Sequence, residues 1–154
     1  MIKALGIMLI VGLLLTGCSE KVKSNENEKT KPITEQEYVD KFETIYDLIH
    51  ENLNKISAAS AASEIDDMEE LCRLFSQTTD ITLQVISELT PPEDYKEANE
   101  MLIVALENYI EWGWAMVELL NIPSDEIGAT VDYHLGVASE NMEKAHAEVG
   151  RLKK

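Results

Sequence analysis

Three histidines, His50, His134 and His146, are the side chains of this 154-residue chain best suited to metal or proton-transfer chemistry. Glu143 stands three residues before His146, a spacing that places a carboxylate and an imidazole on one face of a helix. Asp47 stands at the same distance before His50. Helical bundles that hold two metal ions use two Glu-x-x-His pairs and two further glutamates. The sequence departs from that pattern, so the separation of the histidines decides whether they could share a metal.

The loop positions give a first estimate of that separation. If the first and last helices run antiparallel, His146 lies opposite about residue 40, and ~15 Å of helix separates it from His50. One metal ion cannot bridge such a gap, since zinc–nitrogen bonds are about 2 Å long. His134 falls nearer the level of His50, so these two with neighbouring carboxylates form the alternative metal site. Both flank apolar stripes, where a histidine ring packs and its nitrogens stay hydrated. We therefore expect no metal and no cofactor.

Familiar catalytic motifs are missing from the sequence. We find no C-x-x-C-H haem attachment, no G-x-S-x-G, no Walker loop, no H-E-x-x-H and no S-x-x-K. Glutamates are numerous, but a carboxylate pair indicates catalysis only when burial or a partner perturbs it. The sequence predicts a protein that is not an enzyme.

The tryptophan pair in Glu111-Trp112-Gly113-Trp114 is the most unusual local feature. At 100° per residue the two rings are about 200° apart on a helix, so both cannot face the core. An exposed tryptophan is a suitable anchor for a partner, and Trp114 is the candidate partner-binding residue. The alternative is that Trp114 covers a groove between neighbouring helices.

The first of the two cysteines closes the segment Leu15-Thr16-Gly17-Cys18. Lys3 and an apolar run precede it, as in a secretory signal, and about 13 helical residues span only ~20 Å of a ~30 Å hydrocarbon core. The segment resembles the lipobox of bacterial lipoprotein precursors. The resemblance implies that residues 1–17 are removed as a signal peptide. It also implies that Cys18 carries a diacylglycerol, which anchors the protein on the extracytoplasmic face of the cell membrane. An ordinary cleaved signal is the alternative.

Cys72 is then left without a partner for a disulfide. It lies beside Leu71 and one turn from Met68 and Phe75, so we expect a buried, unreactive thiol.

Charge separates a linker from a domain. Residues 18–32 contain four lysines, three glutamates and almost nothing apolar, which predicts a disordered tether. Residues 33–154 carry 26 acidic against 8 basic side chains, a net charge of −18. Such a domain repels nucleic acid phosphates, so a nucleic-acid partner is excluded. The partners that remain are the membrane, through the lipid on Cys18, and an unknown envelope protein or small ligand.

Helical periodicity runs through residues 33–154 and predicts an all-α, antiparallel up-down four-helix bundle. Thr34 and Glu37 form a capping box for the first helix, and Ser124 caps the fourth. The turns are expected at Ser57–Ser63, at Pro91-Pro92 and at Asn121-Ile122-Pro123. The expected core stripes include Tyr38, Phe42, Ile45, Ile49, Ile56, Ile65, Phe75, Thr79, Ile86, Tyr95, Leu102, Tyr109, Trp112, Val131, Ala138, Met142 and Val149.

Two glycines inside the predicted helices need a reason, because glycine weakens a helix interior. We expect Gly136 to leave room for the Tyr109 and Trp112 rings, and Gly113 to allow close packing or a slight bend. The central segment Leu89–Leu102 resembles L-x-x-P-x-x-Y/F-x-x-A-H-x-x-L in small, uncharacterised helical-bundle lipoproteins, with Asn99 at the position where many have histidine. That resemblance implies a bundle and no activity.

Overall fold

The computed structural model describes residues 33–153, and this part of the chain is all-α. Its four helices are α1 (Glu35–Ala61), α2 (Ile65–Ser87), α3 (Lys96–Asn121) and α4 (Asp125–Leu152). The predicted all-α fold of four bundled helices is confirmed. The predicted signal peptide, Cys18 and the tether lie outside the described residues.

The capping box predicted for α1 is present. The Glu37 backbone N–H donates to Thr34 Oγ1 at 3.2 Å, and the Thr34 backbone N–H donates to Glu37 Oε2 at 2.8 Å. These bonds satisfy backbone donors that a helix start leaves without partners. The helix ends at Ala61, and Ser63 turns the chain in the left-handed region with φ of 57°. The turn therefore lies at the end of the predicted range.

The two prolines also end a helix as predicted, but α3 begins later than the sequence suggested. A single 3-10 turn, Glu93–Tyr95, follows Pro92, and the α-helix starts at Lys96. The Ile33 backbone N–H donates to Thr90 O at 3.2 Å, which ties the chain before α1 to the end of α2. Ser124 caps α4 by accepting from the Ile127 N–H at 3.1 Å.

The predicted stripes form most of the core, and Val39, Leu106 and Ala115 are buried with them. Phe75 of α2 meets the rings of Tyr109 and Trp112 edge to face, with centroids 5.8 and 5.6 Å apart. Cys72 is fully buried beside them, as expected. Ile65 is the exception among the stripe residues: it is 57% exposed at the start of α2, because the first turn of this helix projects beyond the core.

Gly113 is a contact point between α2 and α3. A Cβ added there would come closer than 3.0 Å to Ser76 Oγ and within 3.1 Å of the Cys72 carbonyl oxygen. The expected close packing is confirmed. The expectation for Gly136 is wrong: a Cβ there would meet no atom within 4 Å, because Tyr109 and Trp112 turn toward Phe75.

The helices do not approach one another equally. The backbones of α3 and α4 and those of α2 and α3 run close together, whereas α1 and α4 meet mainly through side chains. Ser76 of α2 donates to the Ile110 carbonyl of α3, and His134 of α4 bonds to Asn108 of α3. Both contacts suit an antiparallel order, and that order stays a prediction. Within residues 33–153 no helix is long and apolar enough to cross a membrane.

Candidate functional site

Aromatic rings from α1 and α4 form a stacked cluster that we call the histidine seam: Phe42, Tyr46, His50 and His146. Tyr46 contacts both histidines, with its ring centroid 4.1 Å from that of His50 and 4.2 Å from that of His146. Phe42 extends the stack, 6.3 Å from His146. The three α1 residues are four positions apart, which places them on one face of the helix.

The histidine seam corrects the expected separation of His50 and His146. Since each ring centroid lies about 4 Å from that of Tyr46, the two histidine rings are at most about 8 Å apart, not 15 Å. The estimate counted residues along the helix axes and ignored the direction of the side chains. Helix side chains lean toward the N-terminus of their own helix, so His50 leans toward Tyr46. Side chains of α1 and α4 therefore meet at Tyr46, although His50 and His146 lie at different levels along the helix axes.

Hydrogen bonds fix the chemistry of the seam. His50 Nδ1 lies 3.0 Å from the Tyr46 carbonyl oxygen, and because a carbonyl only accepts, Nδ1 carries the proton. Nε2 is then the ring nitrogen of His50 that remains for a further hydrogen bond or for a metal. Behind the seam, burial raises the pKa of the Tyr109 hydroxyl, a hydrogen bond with Ser139 lowers it, and Glu143 and Tyr46 raise it. Tyr109 thus stays protonated at neutral pH.

His134 belongs to a different cluster. Its Nδ1–H donates to Asn108 Oδ1 at 3.0 Å, and Asn108 Nδ2 in turn donates to the Val104 carbonyl at 2.9 Å. The Tyr133 ring lies beside it at 5.2 Å. The structure therefore gives His50 and His134, the two residues of the alternative metal site, separate partners. Across the described part of the chain no group of three or more His, Cys, Asp or Glu residues is placed to hold a metal ion.

Trp114 lies on the outer surface, opposite to Trp112, as the 200° separation predicted. Its side chain is 40% exposed, whereas Trp112 is buried. The Arg73 guanidinium of α2 sits over the Trp114 ring, 6.0 Å from the centroid, and binds Glu69 Oε1 at 2.7 Å. Trp114 therefore covers part of the boundary between α2 and α3 and still presents much of its ring to solvent, and its role as a partner-binding residue stays a prediction.

Apolar side chains of α3 continue along the outer boundary with α2 from Trp114, and we call this surface the Trp114 groove: Ile103, Ile110, Trp114 and Val117 of α3, with Arg73 of α2 across from Trp114. The α3 members share one face, because they are three, four or seven residues apart. The Ser76 Oγ bond to Ile110 O at 3.1 Å places Ile110 at the boundary between α2 and α3. Ile103, Ile110 and Val117 are half-buried.

Acidic side chains border the Trp114 groove. Glu107, Glu111 and Glu118 are exposed on α3 within one or two turns of Trp114, and Glu69 lies across the groove on α2. Arg73 is the cation that faces them from α2. The surface thus combines an apolar centre with a negative edge.

Cys72 has no access to this surface. Burial raises the pKa of its thiol to about 11, so a thiolate is not available at neutral pH. The prediction of a buried thiol is confirmed.

A cleft of about 700 Å³ opens at the end of the bundle where the described chain begins. Its lining comes from the start of α1, the 3-10 turn and the end of α4: Thr34, Glu35, Gln36, Val39, Glu43, Tyr95, Leu152 and Lys153. Lys153 forms an ion pair with Glu43 inside it. Sequence reasoning missed this cleft, because its residues are far apart in the chain and carry no shared motif.

Comparison with known proteins adds no relative: no protein-family model, no curated protein and no solved structure matches the chain. The function must therefore be argued from the residues themselves.

Proposed function

We propose that this protein is a lipid-anchored, extracytoplasmic binding module without enzymatic activity. Two parts of the chain support the proposal. Leu15-Thr16-Gly17-Cys18 supplies the attachment signal, and the polar tether that follows it gives the domain reach above the membrane. Two acyl chains are sufficient for stable anchoring, whereas one chain is marginal.

The observation that carries the binding role is the exposed ring of Trp114. Burial of an aromatic side chain is strongly favourable. The Trp114 indole is 40% exposed beside a half-buried apolar stripe, so a partner that covers it would gain binding free energy. Isolated exposed apolar residues need no explanation. Trp114 is not isolated, since Ile110 and Val117 lie one turn away on either side.

Metabolic labelling with a fatty acid tests the anchor. We expect the label on the wild-type chain and on Cys72→Ala, and no label on Cys18→Ser. Wild-type protein should stay in the membrane fraction after a high-salt wash and leave it with detergent. A Cys18→Ser chain that is labelled as strongly as wild type, or a wild-type chain without label, would refute the anchor.

Chemical cross-linking on intact cells tests the binding role. Trp114→Ala should lose cross-linked species that the wild type forms, while Tyr133→Ala, which removes a still more exposed aromatic side chain on α4, should keep them. The same cross-links with both variants would show that the Trp114 surface binds nothing.

A further inference from the structure

We propose that the Trp114 groove binds a basic amphipathic helix of a partner protein. The inference rests on the proposed binding function and names the chemistry of the partner. It follows from three properties of the groove: its shape along α3, the charge of its edge, and the contact that its tryptophan already makes.

The shape of the groove fits a helix. Its apolar side chains run along one face of α3, from Ile103 at one end to Val117 beyond Trp114 at the other. Fourteen residues of α3 extend over ~20 Å, which matches about four turns of a bound helix. Helices recognised in such grooves insert apolar side chains at i, i+3 or i+4, and i+7, the same spacing that the α3 stripe itself shows.

The charge of the groove selects the sign of the partner. Glu107, Glu111 and Glu118 lie along α3 and Glu69 lies on α2, so carboxylates stand on both sides of the apolar centre. The domain as a whole carries a net charge of −18 from residue 33 onward. An acidic helix would be repelled by this surface, whereas lysine and arginine side chains flanking an apolar stripe would pair with its carboxylates.

The contact between Arg73 and Trp114 shows the same preference for a cation within the chain. The indole face attracts a cation, and the neighbouring Glu69 holds the guanidinium in place. A partner's lysine or arginine would find an equivalent setting at the exposed part of the ring, beside Glu111 and Glu118. Arg73 then competes with the partner for the ring and for Glu69, which makes it a sharper probe than the tryptophan alone.

The experiment titrates the full-length protein in detergent with two synthetic helical peptides of about 18 residues, enough for five turns. One has leucine on one face and lysine on the other, and its counterpart has glutamate in place of lysine. We expect the lysine peptide to bind and the glutamate peptide not to. Trp114→Ala should weaken binding by about tenfold, as for a central aromatic anchor. Tyr133→Ala should leave the affinity unchanged, and Arg73→Gln should raise it.

Each outcome bears on the proposal. Binding to Trp114→Ala as tight as to the wild type would mean that the peptide recognises only the overall charge, and it would overturn the groove; so would equal loss with Trp114→Ala and Tyr133→Ala. Weaker binding with Arg73→Gln would overturn the assigned cation preference of the ring. The circular dichroism of each variant should match that of the wild type, so a lost affinity is not lost folding. Failure of these titrations leaves fatty-acid labelling of Cys18 intact, so the inference and the proposed anchor fail separately.

Discussion

Replacing Gly113 with alanine tests the packing of α2 against α3 most directly. The new Cβ would lie closer than 3.0 Å to Ser76 Oγ, so the hydroxyl has to rotate away. Ser76 is fully buried, and its hydroxyl donates to the Ile110 carbonyl at 3.1 Å, so rotation breaks a buried hydrogen bond. The Cys72 carbonyl oxygen, 3.1 Å from the new atom, belongs to the backbone and yields less easily.

The free energy of unfolding of Gly113→Ala follows from three contributions. Overpacking costs about 1–3 kcal/mol, and loss of the Ser76 hydrogen bond costs about 1 kcal/mol. In a helix interior alanine is more favourable than glycine by about 1 kcal/mol, which offsets part of this cost. We expect the variant to be destabilised by about 2 kcal/mol, measured by urea denaturation of the purified protein.

Two further variants make the test discriminating. Gly136→Ala has no atom within 4 Å of its new Cβ, so it should gain about 0.5–1 kcal/mol from helix propensity alone. In a Ser76→Ala background the first clash is absent, and Gly113→Ala should cost clearly less than in the wild type. The reasoning is refuted if Gly113→Ala and Gly136→Ala stabilise the protein equally.

Five other expectations follow from buried or clustered groups. The Tyr38 hydroxyl is buried without a hydrogen-bond partner, so Tyr38→Phe should leave the free energy of unfolding unchanged or raise it by up to about 1 kcal/mol in urea denaturation. Burial raises the pKa of Tyr38 and Tyr109 above the ordinary tyrosine value of 10.0, so ionisation favours the unfolded state. The free energy of unfolding should not change through these groups below pH 10 and should decrease as the pH rises above 10. The decrease should be less steep in Tyr38→Phe, which denaturation at several pH values measures. The thiol of Cys72, with its pKa raised to about 11, should react with a thiol reagent only in denaturant, and rapid modification of the folded Cys18→Ser protein would contradict its burial. Tyr46→Ala removes three ring contacts, with Phe42, His50 and His146, and should lower the free energy of unfolding by about 1–2 kcal/mol, whereas Tyr46→Phe should not, because stacking needs only the ring. Untagged protein should contain no bound metal by elemental analysis and should melt at the same temperature with a chelator, and a stoichiometric metal would instead favour the histidine sites.

Local features of the fold could be predicted from the sequence, because each depends on a few neighbouring residues. The capping box of Thr34 and Glu37 needs only a hydroxyl and a carboxylate three positions apart. The same holds for the Ser124 cap and for the break at the two prolines. Burial followed as well, since the 3.6-residue period assigns a face to each residue. The start of α3 was less certain, because a 3-10 turn obeys the same sequence preferences as the first turn of an α-helix.

Contacts between helices were harder to predict, because they depend on how each helix is rotated about its axis. His146 and His50 seemed too far apart when only positions along the axes were compared, yet both reach Tyr46. The exposed face of Trp114 could be predicted, since it follows from one helix alone. Its pairing with Arg73 could not, because nothing in the sequence relates residue 73 to residue 114.

Gly113 and Gly136 show how the rotation of a helix decides which glycine lies at a close contact. Both interrupt an otherwise good helical sequence, and both were expected to make room for a neighbour. In the structure the rings of Tyr109 and Trp112 contact Phe75 of α2, the Cβ position at Gly136 of α4 is open, and the close approach is at Gly113, where α2 and α3 touch. A rotation of α3 by one residue, about 100°, would move those rings away from α2. Since Gly113 lies next to Trp112 in the chain, the same rotation that buries the indole brings the glycine against Ser76. The close approach at Gly113 and the exposure of Trp114 are therefore two consequences of a single helix orientation, and a substitution that rotates α3 should alter the packing and the proposed binding surface together.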